Sequence, residues 1–302
     1  MKDNIYLDQK KCILCGNPIN NCIELLSLNE DQTLLKCPVC GLIFNNKMRI
    51  DFDVIYGKNY YEVDNVKDQC GGYFNYSSIE IGLNKDYYFA YKYILNKSRD
   101  KKNFKLLDIG CGYGFFLKQF LADNNIILEG IETSSYAASV AEKSIPKIYD
   151  KPLGEINLEK KSYDAVLMFE VIEHLINPFE YLQKINELLI DGGYLIISTP
   201  NISNITFKLL KKKWPAIHPE THNIYYTPKT LVKICEENGF ELVSLQQKNT
   251  LRKSVNHISR KISMKIPQTS IIFKPLKVID DMIIPFPSGG SINAIFRKKE
   301  II

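Results

Sequence analysis

One stretch constrains this chain more than any other: Lys105-Leu106-Leu107-Asp108-Ile109 runs straight into Gly110-Cys111-Gly112-Tyr113-Gly114. The first five residues read as a short buried strand, and Phe115-Phe116-Leu117-Lys118-Gln119-Phe120-Leu121 behind the turn reads as a helix. Gly110 and Gly112 let the backbone pass so near a ligand that a Cβ would clash, and Gly114 lets the helix pack close to the strand. The pattern then repeats. A second strand at 127–131 ends at Glu132. A third at 163–168 precedes a helical Glu170-Val171-Ile172-Glu173-His174-Leu175, and a helix at 180–189 leads through Asp191-Gly192-Gly193 to a strand at 194–199. A helix at 227–239, ended by a left-handed Gly239, and closing strands at 240–245 and 291–296 complete the series. Strand and helix in alternation imply right-handed crossovers, and hence a mostly parallel sheet with helices on both faces.

The glycine turn also selects its ligand. Its Gly-x-Gly-x-Gly spacing departs from the Gly-x-Gly-x-x-Gly that cradles a pyrophosphate. Asp108 stands at the strand end directly beneath it, where a carboxylate repels phosphate and suits ammonium or sulfonium charge. Glu132, at the tip of the next strand, is placed to accept hydrogen bonds from ribose hydroxyls. A ribose, a positive charge and no phosphate describe S-adenosylmethionine. The bland alternatives are a strand-end cap for Asp108 and a solvated loop acid for Glu132.

Four of the eight cysteines fall in two pairs, Cys12-Ile13-Leu14-Cys15-Gly16 and Cys37-Pro38-Val39-Cys40-Gly41. Each pair with its glycine reads as a knuckle, and four thiolates so arranged can hold one Zn²⁺ tetrahedrally. The metal then supplies the stability that so short a segment cannot draw from a core. Cys22, between the pairs, has no partner and reads as filler.

The 302 residues are 45% apolar and 24% charged, which excludes wholesale disorder, and no apolar run is long enough to span a bilayer. Met1-Lys2-Asp3-Asn4 lacks an apolar signal core, so a cytoplasmic location is expected. A net charge of +5 is modest and does not announce nucleic acid as a partner.

Leu106-Leu107-Asp108-Ile109-Gly110-Cys111-Gly112-Tyr113-Gly114 resembles the first motif of class I S-adenosylmethionine-dependent methyltransferases. The resemblance continues through Glu132, through Tyr163-Asp164-Ala165-Val166-Leu167-Met168-Phe169, and through Asp191-Gly192-Gly193-Tyr194 to Pro200-Asn201. Glu170-Val171-Ile172-Glu173-His174-Leu175 with Pro178 is similar to the subgroup that contains the ubiquinone-biosynthesis O-methyltransferases. Thr227-Pro228-Lys229-Thr230-Leu231 with Glu237-Asn238-Gly239-Phe240 is another segment of that subgroup. The ribbon and a tyrosine-rich stretch are more like bacterial methyltransferases of sugars, nucleotide sugars or surface glycans. The fold class implied is α/β: a doubly wound, Rossmann-like, seven-stranded, mostly parallel sheet with a small N-terminal zinc ribbon. The expected division is a ribbon at 1–46, an aromatic-rich helical linker or cap at 47–102, and a methyltransferase domain at 103–302 with a basic insertion at about 250–286. The resemblance further implies that Asp108, Gly110, Cys111 and Gly112 hold the amino-acid end of S-adenosylmethionine. Glu132, with Thr133 beside it, would bind the ribose, and Met168, Phe169 and Glu170 would line the adenine and methionine side.

Methyl transfer from a sulfonium leaves a neutral group behind, so an enzyme mainly positions and deprotonates the acceptor. His174 is the first base candidate. His222, in the loop after the fifth strand, is the second, with His218 behind it. Read as a helix, Glu170, Glu173 and His174 share one face, and the subgroup resemblance implies Mg²⁺ or another divalent ion there; the alternative is ordinary packing. Arg252, Lys253, Arg260, Lys261, Lys265, Lys274 and Lys277 form a basic segment, either a solvated face or a contact for an anionic partner: a nucleotide sugar's diphosphate, a lipid-linked glycan at the membrane, or RNA.

Three functions compete. The leading expectation is O-methylation of a carbohydrate, nucleotide-sugar or surface-glycan acceptor, small and anionic. The second is an RNA methyltransferase, since some of these also begin with a zinc ribbon. The third is a non-catalytic ribbon protein, against which the intact glycine turn and Glu132 argue.

Overall fold

The computed structural model describes residues 6–50, 56–61, 80, 86–248, 251–254, 283–286 and 290–300. The ribbon contributes β1 (Tyr6–Asp8), β2 (Ile23–Ser27), β3 (Thr33–Lys36), β4 (Ile43–Asn45) and β5 (Lys47–Arg49). Two helices follow, α1 (Lys58–Tyr61) and α2 (Tyr88–Ser98). Then come β6 (Phe104–Ile109), α3 (Phe115–Lys118), β7 (Ile126–Ile131), α4 (Ser135–Ala141), β8 (Lys147–Tyr149), β9 (Tyr163–Phe169), α5 (Pro178–Leu188) and β10 (Leu189–Pro200). The remainder is α6 (Ile205–Leu210), β11 (Ile224–Tyr225), α7 (Pro228–Glu237), β12 (Phe240–Lys248), β13 (Leu251–Ser254), β14 (Ile283–Phe286) and β15 (Ser291–Lys298).

Seven strands form the main sheet in the order β12-β15-β10-β9-β6-β7-β8. β10, β9, β6, β7 and β8 run parallel, and β15 enters antiparallel between β10 and β12. The α/β, doubly wound, mostly parallel class is therefore what the chain adopts. Alternation along each strand sends side chains to two cores. Leu107, Ile109, Val166 and Met168 face α5 and α7 on one side. Leu106, Ala165 and Leu167 face α2 and α3 on the other. Parallel strands buried on both faces are near-continuously apolar, which is why these segments are legible in the sequence.

Local chemistry sets the helix ends. Asn177 caps α5, its side chain accepting from the Glu180 N–H, with Pro178 at the first helical position. Thr227 and Thr230 cap α7 reciprocally, and Gly239 beyond it takes a left-handed φ of +83°. The helix expected over 170–175 does not form. Glu170 adopts φ +54°, and residues 172–174 are a turn. The left-handed backbone at Glu170 breaks a right-handed helix at its first residue, and Pro178 disfavours helical backbone at the residue before it.

The ribbon joins the rest through β11, which pairs with β4 in a second sheet of order β11-β4-β3-β2. Its buried Cys12, Cys37, Leu42 and Phe44 pack in the same core as Ile172, Ile224 and Tyr226. Among the expected features, most of the basic segment, including Arg260, Lys261, Lys265, Lys274 and Lys277, lies outside the described residues, as do Tyr73, Phe74 and Tyr76. No helix among the described residues is long and apolar enough to cross a membrane.

Candidate active site and metal centre

The tips of β6 and β7 carry the two acids picked out above. Asp108 is 4% exposed and Glu132 5%. Glu132 is anchored by its surroundings: the Gly112 N–H donates to one oxygen at 2.9 Å, the Ser134 N–H to the other at 2.8 Å, and the Tyr61 hydroxyl also bonds it. Burial raises its pKa, and these donors hold it down. Asp108 has no such help. Among the described residues it has no hydrogen-bond donor and no ion-pair partner, and burial together with the Glu132 charge pushes its pKa up to about 8.

The turn between them is stripped of side chains for a steric reason. Gly110 has φ +74°, and a Cβ on it would lie 2.5 Å from Val171 Cγ2. Across the crevice a Cβ on Gly130 would meet the Cys111 sulfur at 2.8 Å. An orphaned buried carboxylate beside a glycine cradle fits a cationic nucleoside and disfavours a pyrophosphate. The residues present therefore fit S-adenosylmethionine.

The other expected cofactor residues group around this crevice unevenly. Thr133 is half-buried between Glu132 and the Ser134 cap of α4. Phe169 stacks on Tyr87 with ring centroids 4.2 Å apart and meets Phe116 edge-on. Met168 is fully buried, its side chain in the core with Ile109 and Ile197. Glu170 turns toward β10, where it accepts from the Ser198 hydroxyl at 2.9 Å.

Beside the crevice lies the histidine cluster. Thr199 donates to one Glu173 oxygen at 2.9 Å, and the other oxygen is buried without a partner. His174 Nδ1 lies 2.7 Å from the Thr221 carbonyl. A carbonyl only accepts, so Nδ1 carries the proton and Nε2 keeps its lone pair. Burial, reinforced by His218, lowers the His174 pKa to about 4, and burial depresses His222 as well. The rings of His174 and His222 are 4.7 Å apart, and those of His218 and His222 5.1 Å. All three expected base candidates thus come together.

Glu173, His174 and His222 also present one ligand atom each within 4.8 Å of one another. Buried His222 Nδ1 and one Glu173 oxygen are both unpartnered, which fits a divalent ion. Glu170 is not part of this cluster. The divalent-ion expectation at Glu170, Glu173 and His174 is corrected accordingly: the turn replaces the helix and directs Glu170 to Ser198, and His222 takes the third place. Two imidazoles and a carboxylate suit a transition metal better than Mg²⁺.

Cys12, Cys15, Cys37 and Cys40 form a second candidate metal site, with sulfurs within 4.8 Å of one another. Cys12–Cys40 and Cys15–Cys37 are each 3.5 Å apart, against about 3.8 Å between thiolates around tetrahedral zinc. Gly16 and Gly41 turn the knuckles at φ +72° and +79°. Burial raises the Cys37 thiol, but the Cys40 and Val39 N–H groups outweigh it and bring it to about 7. The four residues fit Zn²⁺. Cys22 stays outside the quartet, 3.8 Å from the Asn17 amide.

Some participants had little or no signal in the sequence. Tyr56 places its hydroxyl 3.0 Å from His174 Nδ1, and Tyr61 stacks on Tyr113 of the glycine turn at 5.3 Å. Both fall in the aromatic-rich stretch, whose composition suggested a cap without naming its residues. The Thr221 carbonyl is main chain and leaves no side-chain signature.

Comparison with known proteins settles what this geometry belongs to. Residues 85–245, more than half of the chain, match the family model described as a methyltransferase domain. The chain belongs to this methyltransferase family. The methyltransferase is 27% identical over 207 residues to the ubiquinone biosynthesis O-methyltransferase of Pelagibacter ubique, covering 62% of this chain and 86% of that one. It is 28% identical over 158 residues to the tRNA U34 carboxymethyltransferase of Vibrio atlanticus, about half of each chain at 49% and 48%. A candidate sarcosine dimethylglycine methyltransferase of Galdieria sulphuraria shares the fold at TM-score 0.51 and 14% identity, over 73% of this chain and 86% of that one. The protein is an S-adenosylmethionine-dependent methyltransferase.

Proposed function

We propose that the methyltransferase places its methyl group on an acceptor hydroxyl, with His174 Nε2 as the base. The observation that carries this is the 2.7 Å bond from His174 Nδ1–H to the Thr221 carbonyl, which leaves the other ring nitrogen, 3.9 Å from a Glu173 oxygen, with a lone pair to accept a proton. S-adenosylmethionine supplies an electrophilic methyl on a sulfonium. Asp108, Gly110, Cys111 and Gly112 hold its amino-acid end, Glu132 and Thr133 its ribose, and Phe169 with the backbone of Met168 and Glu170 its remaining side. Asp108 answers its positive charge. Tyr56 and Tyr61 exclude water, and His174 would take the hydroxyl proton as the acceptor oxygen bonds the methyl carbon and its bond to sulfur breaks, the sulfonium leaving as a neutral thioether. His222 and His218 line the same wall, and burial, reinforced by His218, keeps His174 neutral. Zn²⁺ belongs to the four cysteines and has a structural part.

The acceptor reading with most support is a nucleoside of RNA. Lys211, Lys212 and Lys213 are all exposed and lead directly into the loop that carries His218 and His222, where they suit phosphates. The tRNA-modifying relatives point the same way. A small hydroxylated molecule is the second reading, favoured by the Pelagibacter relative, whose match spans most of its length. The carbohydrate acceptor and membrane contact expected from the sequence rest on the ribbon, the tyrosines and the basic segment alone. The test is label transfer from S-adenosylmethionine to unmodified tRNA and total RNA, to hydroxylated quinone precursors, and to nucleotide sugars. Nuclease-sensitive label is expected. Label only in a small-molecule arm overturns the RNA reading, and undiminished transfer by His174→Gln overturns the base.

A further inference from the structure

β11 has no place in the seven-stranded sheet and finds its partner in the ribbon, Ile224 opposite Phe44 and Tyr225 opposite Ile43. Immediately before it stands Asn223, fully buried. Its side chain behaves like a strand's backbone. Oδ1 accepts from the Arg49 N–H at 3.0 Å, while Nδ2 donates to the Arg49 carbonyl at 3.3 Å and to the His174 carbonyl at 2.9 Å. Its main-chain N–H donates to the Glu173 carbonyl at 2.8 Å, and its carbonyl accepts from the Asn45 N–H at 2.9 Å. One residue thus ties two ribbon strands to the turn carrying Glu173 and His174.

The adjoining loop is held from the same side. The Gln32 amide donates to the Pro219 carbonyl at 3.1 Å, and Glu220 accepts from the Arg49 guanidinium at 2.7 Å and the Tyr6 hydroxyl at 2.6 Å. Thr221, whose carbonyl fixes the His174 ring, lies between Glu220 and His222. The Cys37–Cys40 knuckle folds back through the Cys37 N–H to the Leu42 carbonyl at 2.9 Å, and β4 starts at the next residue. A knuckle pair of this size takes its fold from its metal.

We propose that Asn223 is a positioning residue, and that the metal-held ribbon sets the orientation of the His174 ring through it. The ribbon is then part of the wall of the site. The crevice around Asp108 and Glu132 is built from β6, β7 and the glycine turn, and none of the bonds just described reaches it. The proposal uses the His174 reading only for its consequence on turnover, and its geometry is tested without an acceptor.

The experiment compares zinc-loaded full-length protein, the same protein after zinc chelation, Asn223→Asp and Asn223→Ala. Asn223→Asp keeps the oxygen that accepts from Arg49 and replaces the donor to His174. Three quantities are read: calorimetric affinity for S-adenosylmethionine, hydrogen-exchange protection of the 223 and 224 amides, and the ring-nitrogen resonances of His174. Chelation and both substitutions are expected to lower protection at least tenfold and to replace the single Nδ1–H tautomer by a mixture, with cofactor affinity changed less than threefold. An unchanged tautomer and unchanged protection after chelation overturn the proposal, as does parallel loss of cofactor binding, which marks general unfolding. If Asn223→Ala does not fold, chelated wild type and Asn223→Asp carry the test. The three readouts are taken on chains that keep His174 and need no turnover, so undiminished transfer by His174→Gln would overturn the base without touching them, and the two failures are distinguishable.

Discussion

Asp108 and Glu132 sit at the tips of neighbouring strands, almost wholly out of solvent, and of the two only Glu132 has hydrogen-bond donors among the described residues. Asp108 therefore stabilises a ligand at the expense of the empty fold. Asp108→Asn is expected to raise the unfolding temperature of the cofactor-free protein and to weaken S-adenosylmethionine binding about 10- to 100-fold, the worth of a charge-assisted hydrogen bond. Thermal unfolding and calorimetry of the same variant check both signs. A variant that is less stable when empty yet binds normally contradicts this account.

The same carboxyl predicts a pH dependence. Its folded-state pKa is raised to about 8 from an ordinary carboxylate value, so its contribution to stability is full in acid and is lost as pH rises through about 8. A cationic ligand prefers the ionised form. Cofactor affinity should therefore climb close to tenfold per unit toward pH 8 and level off above it, with close to one proton released on binding at pH 7. Calorimetry in two buffers of different ionisation enthalpy measures that proton. A flat profile between pH 6.5 and 9 tells against the assignment.

The steric argument at the glycine turn can be taken apart with a pair of variants. Gly110→Ala meets Val171 Cγ2 at 2.5 Å and must also hold φ +74°. Strain of this kind costs about 1–3 kcal/mol, and the displaced turn should lose most cofactor affinity. Adding Val171→Ala removes the clash and leaves the backbone strain, so partial recovery of stability is expected. Full recovery in denaturant titrations shows that the left-handed backbone matters little here.

Zinc analysis by mass spectrometry should find one equivalent per chain, lost in Cys37→Ser and Cys12→Ser. Cobalt substitution should give the absorption of a tetrahedral thiolate site. An additional equivalent that survives cysteine substitution and disappears in His222→Ala locates a second ion at Glu173, His174 and His222, and, because that ion would occupy His174 Nε2, it overturns His174 as the base.

The parts legible in the sequence were those where one residue's type is dictated by its own backbone. Gly110, Gly112 and Gly114 all take positive φ, and the strands they serve are apolar because both faces are covered. The cysteine knuckles announce themselves through Gly16 and Gly41 for the same reason. Residues 170–175 carry a spacing that mimics a helix face, and only the cap at Asn177 shows where the helix begins. Asn223, Thr221 and Tyr56 were out of reach for another reason. Their partners are main-chain atoms or residues far away in the chain, and no periodicity records a contact between residues 49 and 223.

β15 lies between β10 and β12, although β12 ends at Lys248 and β15 begins only at Ser291. During synthesis β12 therefore emerges with no neighbour to bind, while β10 waits with an open edge toward the place β15 will fill. That interval is the period of greatest risk for intermolecular strand pairing, and slowing translation within it should raise the yield of insoluble product more than slowing it elsewhere.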